Sequence, residues 1–466
     1  MAHDDVELLA VGGGPSNLAL AVAIDEVAPP ELARRSLVIE RDDDISWQRG
    51  MLLPEALSQV SFLKDLVTLR NPRSKYSFIN YLHSVGRLND FVNMGSFVPY
   101  RIELSRYFQW AADSLTNVRL SCGRECRRIQ PRRAPDGSVA GWLATLADGD
   151  TIGCRHLVIG AGRDANVPAE FNGVDADKVI HSTQYTGRIA KLRKDFSYRV
   201  AVVGGAQSAA EMFGAVQRDL PNSRPTMIMR SIGLNTYESS KFTNELYYPS
   251  FVDEFFSAQP DARKQLLAEM HRTNYAGLAP GTLESLYRQV YLDRLNGTGR
   301  LEIITMTDIA SAHTDGDEVV LELVDRKTGG HRELRVDLVL LGTGFRPQMP
   351  KLVRDLADRL GLPRIDVTRE YRLIVDEPAD ATCHLQGVNE ATHGIADSLL
   401  SVLAVRAEHI LRDILRVRAA RPRLAAADES VAGTSITAAA ISGTANLEES
   451  VDDDSAGDPE TFAVVS

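Results

Sequence analysis

The chain has 466 residues, of which 44% are hydrophobic and 25% charged, with a formal charge of −11. That length excludes a single ordinary core and calls for two or three domains, and the composition is that of a globular protein. Nine acidic residues and no Lys or Arg lie between Leu424 and Ser466, so the rest of the chain carries only −2 and nucleic acid is excluded as the expected partner.

No apolar run approaches the roughly 20 residues of a membrane helix. Residues 2–7 are mostly polar, and Gly12–Gly14 interrupts the first apolar run, so no early signal peptide is expected and a cytoplasmic location is. Cys122, Cys126, Cys154 and Cys383 form no C-x-x-C pair, which points to reduced thiols and away from a metal site or a disulfide framework.

Residues 7–20 read as a buried strand, a glycine turn and the opening of a helix. Gly12 permits the tight turn, and Gly14 leaves no side chain where a pyrophosphate would approach the backbone. Pro15 then opens the helix, and Asn17 stands at the usual third glycine. A second strand, Leu37–Glu40, closes a βαβ unit. Its terminal Glu40 is placed to take the hydroxyls of an adenosine ribose.

The following segment sets polar side chains among apolar ones. Lys64, flanked by Phe62, Leu63 and Leu66, must reach water, meet an anion, or pair with Asp65 or Glu55. Helical spacing of Leu104, Phe108, Ala111 and Leu115 predicts a helix over 101–117. Short strands over 118–162 end in a glycine turn.

The pattern then recurs. Tyr198–Glu211 is a second strand, glycine turn and helix, with Gly204, Gln207 and Ser208 at the turn, followed by a strand over 226–230. Two cradles imply two dinucleotides. The second ends in Arg230 and Ser231 where an acid would repel a 2′-phosphate, so it should prefer NADP to NAD. Ala206 replaces the expected second glycine.

Residues 237–295 read as a small helical insertion, with helices over 261–272 and 283–295 and with Asn244 and Asn274 suited to turn or capping duty. Strands follow over 301–306, 318–325 and 332–341. A glycine turn at 387–394 leads into a helix over 396–417, whose N-terminus is suited to an electron-rich carbonyl of a flavin at the first cradle.

From about Val6 to Val417 the chain resembles the flavin-dependent N-hydroxylating monooxygenases of siderophore biosynthesis, in particular the L-ornithine N5-monooxygenases. The shared motifs are residues 12–18, Trp47 with 50–53, 59–68, 207–211, 244–245, 273–275, 342–345, and the run from His393 through Leu400 and Ser401. The resemblance implies an α/β fold with two Rossmann-like domains. FAD would be held by 1–165 and 341–417, and NADPH by 196–237 and 296–340. A helical substrate domain would cover 238–295, and an acidic tail over 418–466 would be disordered.

The same resemblance implies that Gln59 lies beside the isoalloxazine, that Lys64 pairs with the substrate carboxylate, and that Asn244 and Asn274 bind its carboxylate and α-amino ends. Ser401 would stand at the substrate and flavin boundary with Leu400 beside it, Trp47 on the FAD side, and Arg101, Ser208 and Arg230 on NADP. It implies N-hydroxylation of ornithine by NADPH and O₂ through a C4a-hydroperoxyflavin, in a homo-oligomer, dimer or tetramer. Tyr100, Ala206, Gly342 and Phe345 depart from the family pattern.

Lysine N6-hydroxylation is the nearest alternative, and the Thr-Asn-Tyr element at 273–275 favours ornithine. Putrescine-like diamines lack the carboxylate that Lys64 would take. A disulfide reductase needs a paired redox cysteine. A Baeyer–Villiger oxygenase needs a His-x-x-x-Trp pattern that 181–185 does not supply. A degenerate flavoprotein that senses NADPH is the further alternative.

Overall fold

The computed structural model describes residues 3–275, 277–375 and 380–420, so the expected acidic tail lies almost wholly outside the described residues. Three sheets organise the chain. The first is seven-stranded, in the order β3 (Arg119–Ser121), β2 (Ser36–Ile39), β1 (His3–Val11), β6 (Thr151–Ile159), β5 (Val139–Leu146), β4 (Cys126–Arg133), with β15 (Thr382–Leu385) also on β6. Strands β3, β2, β1, β6 and β15 run parallel, and the β4–β5 hairpin is antiparallel.

Alternation along β1 sets the layers. Leu8 and Ala10 face the helices Pro15–Val27 and Leu403–Ala420, while Leu9 and Val11 face the β4–β5 hairpin and the helix Lys351–Leu360. Period-two burial on both faces is what a covered parallel strand requires.

The second sheet is parallel throughout, in the order β10 (Glu302–Ile304), β9 (Arg224–Ile228), β8 (Arg199–Val203), β14 (Leu338–Leu341), β7 (Val179–His181). Val200 and Val202 pack on the helices Gln207–Asp219 and Pro280–Leu295. Ala201 faces the third sheet, an antiparallel meander of β11 (Thr307–Asp315), β12 (Glu318–Asp325) and β13 (His331–Val336).

Several predicted bounds move, each for a local reason. The strand predicted over 332–341 is two strands in two sheets. The chain changes sheet at Asp337, whose carboxylate accepts the Arg199 backbone N–H at 2.7 Å and its Nη2 at 2.6 Å. The strand predicted over 301–306 shortens to Glu302–Ile304, and the chain turns at Met306, φ +51°, before β11 begins. The helix predicted over 101–117 stops at Asp113, because the Asp25 carboxylate captures the N–H groups of Thr116, Asn117 and Val118.

The helix predicted from 396 starts at Leu403. Residues 395–398 and 400–402 form separate 3₁₀ turns, broken by the extended Leu399. Between the second cradle and β10 lie helices Lys241–Glu245, Pro249–Ser257, Pro260–Asn274 and Pro280–Leu295, three of them opened by a proline whose missing N–H is harmless there.

Candidate active site

Both glycine turns are built as their sequences require. Gly12 has φ +96°, and a Cβ there would meet the Gly160 carbonyl oxygen at 2.7 Å. Gly204 has φ +136°, and a Cβ there would meet the Gly342 oxygen at 2.5 Å. A Cβ on Gly14 would meet nothing within 4 Å, so this turn opens on free space at the helix N-terminus. Neither following helix has a side-chain cap or an acid in its first turn, which leaves both sets of N–H groups available to an anion. Glu40 reaches the first turn, accepting the Gly13 N–H at 2.6 Å and the Asp42 N–H at 3.0 Å.

Three side chains expected at the cofactors do other work. Asn17 is fully buried: its Nδ2 donates to the Val11 and Gly12 carbonyls, both at 2.9 Å, and its Oδ1 accepts from Gln386 at 2.8 Å. It braces the turn, and only its backbone N–H faces the helix end. Gln207 donates to Glu211 and Thr282 and accepts the Ala279 N–H, all at 2.9 Å. Arg101 is buried, with both Nη atoms on the Glu211 carboxylate at 2.9 Å and Nη1 on the Met51 carbonyl at 2.8 Å. It pins the first segment to the second cradle's helix.

Arg230 and Ser231 follow β9 and are exposed, with Ser231 Oγ 3.0 Å from where a Gly205 Cβ would stand. Ser208 is half-buried in the first turn of its helix.

The segment after the first cradle carries Trp47, Gln59 and Lys64. Trp47 lies edge-on to Phe108 at 5.8 Å, and its backbone N–H donates to Ser105 Oγ at 3.1 Å. Gln59 holds φ +62°, a left-handed conformation rare for a residue with a side chain. Lys64 Nζ donates to Ser401 Oγ at 3.1 Å and lies 4.8 Å from the centre of the Tyr248 ring. Burial pushes its ammonium below the ordinary lysine range. Neither proposed internal partner takes it. Asp65 turns inward to accept the N–H groups of Val67, Thr68 and Phe78 at 2.9, 2.6 and 2.8 Å, and Glu55 lies 3.6 Å from Arg218. Burial also raises the Asp65 pKa against those hydrogen bonds.

The two asparagines sit on neighbouring elements. Asn244 is exposed on the helix that leads to Tyr248, and Asn274 is half-buried at the end of Pro260–Asn274. A Tyr247–Thr273 hydroxyl hydrogen bond ties these elements, and among the described residues neither asparagine amide has a hydrogen-bond partner. Tyr275 continues the chain onto the 387–398 turn, where its hydroxyl donates to Glu390, a residue also paired with Arg163 at 3.0 Å.

Residues beneath the site were missed by sequence reasoning. Arg406 and Asp397 form a fully buried pair at 2.7 Å, with Arg406 also on Ser16 Oγ at 2.8 Å and Gln386 Oε1 at 3.1 Å. Leu400 packs in the core beside the first cradle's helix, so the turn carrying Ser401 is braced from below. An arginine at core spacing among Leu403, Ala404, Ala407 and Ile410 was the readable signal.

The family of L-lysine 6-monooxygenase/L-ornithine 5-monooxygenase matches residues 4–347. The chain belongs to this family. It is 36% identical over 418 residues to the L-ornithine N(5)-monooxygenase of Pseudomonas aeruginosa, covering 88% of this chain and 93% of that family member. Among solved family structures, the P. aeruginosa ornithine hydroxylase PvdA superposes with a TM-score of 0.82 at 35% identity, covering 89% of this chain and 100% of its own. The Kutzneria sp. 744 ornithine N-hydroxylase KtzI, in a structure named for reduced FAD, NADP⁺ and L-ornithine, gives 0.82 at 33% identity, with 89% and 100% covered.

Proposed function

We propose that this family member is an FAD- and NADPH-dependent L-ornithine N5-monooxygenase, which uses O₂ to hydroxylate the side-chain amine for siderophore or related natural-product biosynthesis. The observation that carries the reading is Lys64: a half-buried ammonium, fixed by Ser401, with no carboxylate of this chain among the described residues in ion-pair contact. Such a cation suits the carboxylate of a free amino acid. Ornithine is the substrate named for the relatives reported above, and Asn244 and Asn274 add amides that are unpartnered among the described residues, on the elements around Lys64.

The first cradle fits FAD. Its open face at Gly14, uncapped helix end and terminal Glu40 suit a pyrophosphate and a ribose. The second fits NADPH, because Arg230 and Ser231 suit the 2′-phosphate. Flavin, when bound, would pass two electrons from NADPH to O₂, of which one oxygen atom goes to the amine and the other leaves as water. This chain's residues fix the amino acid by its far end at Lys64, Asn244 and Asn274, which leaves the terminal amine outside any of these contacts and able to lose its proton. Gln59 would lie beside the flavin ring, Trp47 and Leu400 would wall its pocket, and Ser208 would meet NADP.

Within this reading the FAD domain covers 1–165 and 341–417, the NADPH domain 196–237 and 296–340, and the helical substrate domain 238–295. We place the enzyme in the cytoplasm; among the described residues no helix is long and apolar enough to cross a membrane. The exposed Tyr287, Tyr291 and Leu295 on one face of Pro280–Leu295 support a homo-oligomer, dimer or tetramer.

Purified protein given NADPH and air should form a hydroxylamine from ornithine, less from lysine and least from putrescine. A clear preference for lysine overturns the substrate assignment, and NADPH oxidation without any hydroxylamine overturns the reaction. On the alkaline side, kcat/KM for ornithine should fall at a pH below the ordinary lysine range, because the free enzyme's buried Lys64 sheds its proton early and loses the carboxylate. A limb that persists unchanged in Lys64→Met belongs to another group.

Ala206 caps the second helix in extended geometry, φ −120°, so its backbone does not demand glycine. Its methyl stands at the approach of the pyrophosphate. Ala206→Gly is therefore expected to tighten NADPH binding about two- to fivefold, measured by titration.

A further inference from the structure

We propose that Tyr248 is a positioning and specificity residue for the amino-acid substrate, acting through Lys64 as the outer wall of its carboxylate anchor. The inference rests on the ornithine reading above and extends it to a residue that the site motifs do not include.

The placement is dictated by the backbone. Tyr248 immediately precedes Pro249, which forces it into extended geometry (φ −88°, ψ 156°) between two helices. Its N–H closes the preceding turn on the Glu245 carbonyl at 3.1 Å, and its own carbonyl takes the Phe251 N–H at 3.1 Å. With the main chain held on both sides, the ring lies over the ammonium, 4.8 Å from Nζ to the ring centre. Ser401 Oγ holds the same ammonium at 3.1 Å.

The electrostatics give the ring a task. Burial disfavours the charged form of Lys64, and among the described residues no carboxylate restores it. The negative face of an aromatic ring favours a cation without neutralising it, so the ammonium keeps its charge for an incoming anion. A carboxylate in this position of the wall would itself occupy the lysine. A ring that remains 40% exposed also screens the ammonium from bulk water, where its attraction for a substrate carboxylate would be weakest. Tyr248 thus helps select amino acids over diamines, which offer a second cation and no anion.

The test compares Tyr248→Phe, Tyr248→Leu and Tyr248→Ala in the holoenzyme. L-Norvaline, which has the carboxylate and α-amino group but no terminal amine, serves as a competitive probe that cannot react. Tyr248→Ala and Tyr248→Leu are expected to raise both the ornithine KM and the norvaline inhibition constant about three- to tenfold. In both, kcat and the KM for NADPH should stay within about twofold, and Tyr248→Phe should behave like the unaltered enzyme because the ring is retained. Unchanged norvaline inhibition in Tyr248→Ala overturns the proposal. So does a Tyr248→Phe variant as impaired as Tyr248→Ala, which would assign the effect to the hydroxyl, and so does a fall in kcat alone. Failure of the ornithine reading itself looks different: the unaltered enzyme would then form no hydroxylamine from ornithine.

Discussion

Lys64→Met is expected to raise the KM for ornithine by one to two orders of magnitude while changing kcat far less. Methionine keeps much of the length and the apolar stem of lysine but removes the charge that faces the substrate. A hydrogen bond to a charged group contributes about 1.5–3 kcal/mol, which corresponds to about 10- to 150-fold in affinity. The loss should appear in KM because the carboxylate is remote from the reacting nitrogen and is bound equally in the ground and transition states. Fold damage should be small, because among the described residues Lys64 has one hydrogen bond, to Ser401, and one ring contact, to Tyr248. Flavin content, NADPH oxidation without substrate and the melting temperature should therefore stay close to those of the unaltered enzyme. If ornithine KM is unmoved while kcat collapses, Lys64 belongs to the chemistry of the cofactor side and the carboxylate assignment fails.

The backbone of this site was more legible than its side chains. Glycines at 12 and 204 are imposed by close approach and left-handed geometry, so each reports a turn that the chain must make. The expectation of an α/β fold with two Rossmann-like domains came from the family resemblance that these turns help to carry. Lys64 was also visible, as a cation stranded among apolar neighbours. Its partner was not, because the choice among Asp65, Glu55 and an external anion depends on Asp65 bonding Val67, Thr68 and Phe78 and on Glu55 lying near Arg218. Motif position likewise located Asn17, Gln207 and Arg101 at the cradles but said nothing of direction. All three side chains turn toward protein, where buried polar groups must find partners. The run at 332–341 also concealed a change of sheet: the mostly charged β13 and the wholly apolar β14 abut at Asp337, and its bonds to Arg199 mark the break. Contacts between residues hundreds of positions apart, such as Lys64 with Ser401, leave no periodic trace at all.

Asp397→Ala should be the most destabilising single change near the site, by about 3–5 kcal/mol, because it leaves the Arg406 guanidinium buried without its counter-charge. Both side chains are essentially inaccessible, at 1% and 0% exposure, so water cannot take over the lost contact. The damage should spread to the first cradle by named bonds. Arg406 holds Ser16 Oγ at 2.8 Å and Gln386 Oε1 at 3.1 Å, and Gln386 in turn holds Asn17, which braces the Val11 and Gly12 carbonyls. The variant also frees the Asn389 N–H, now bound to Asp397 at 2.7 Å, and with it the turn that leads to Ser401. A melting temperature lower by on the order of 5–10 °C is expected, together with loss of flavin on gel filtration. The double variant Arg406→Met/Asp397→Leu separates charge from packing: with no orphaned cation, it should recover a large part of the lost stability while the cradle, deprived of its Ser16 and Gln386 contacts, still releases flavin more readily. Equal instability in the two variants would mean that shape, not the buried charge, governs this network. Stability recovered along with full flavin retention would mean that Arg406 does not support the cradle.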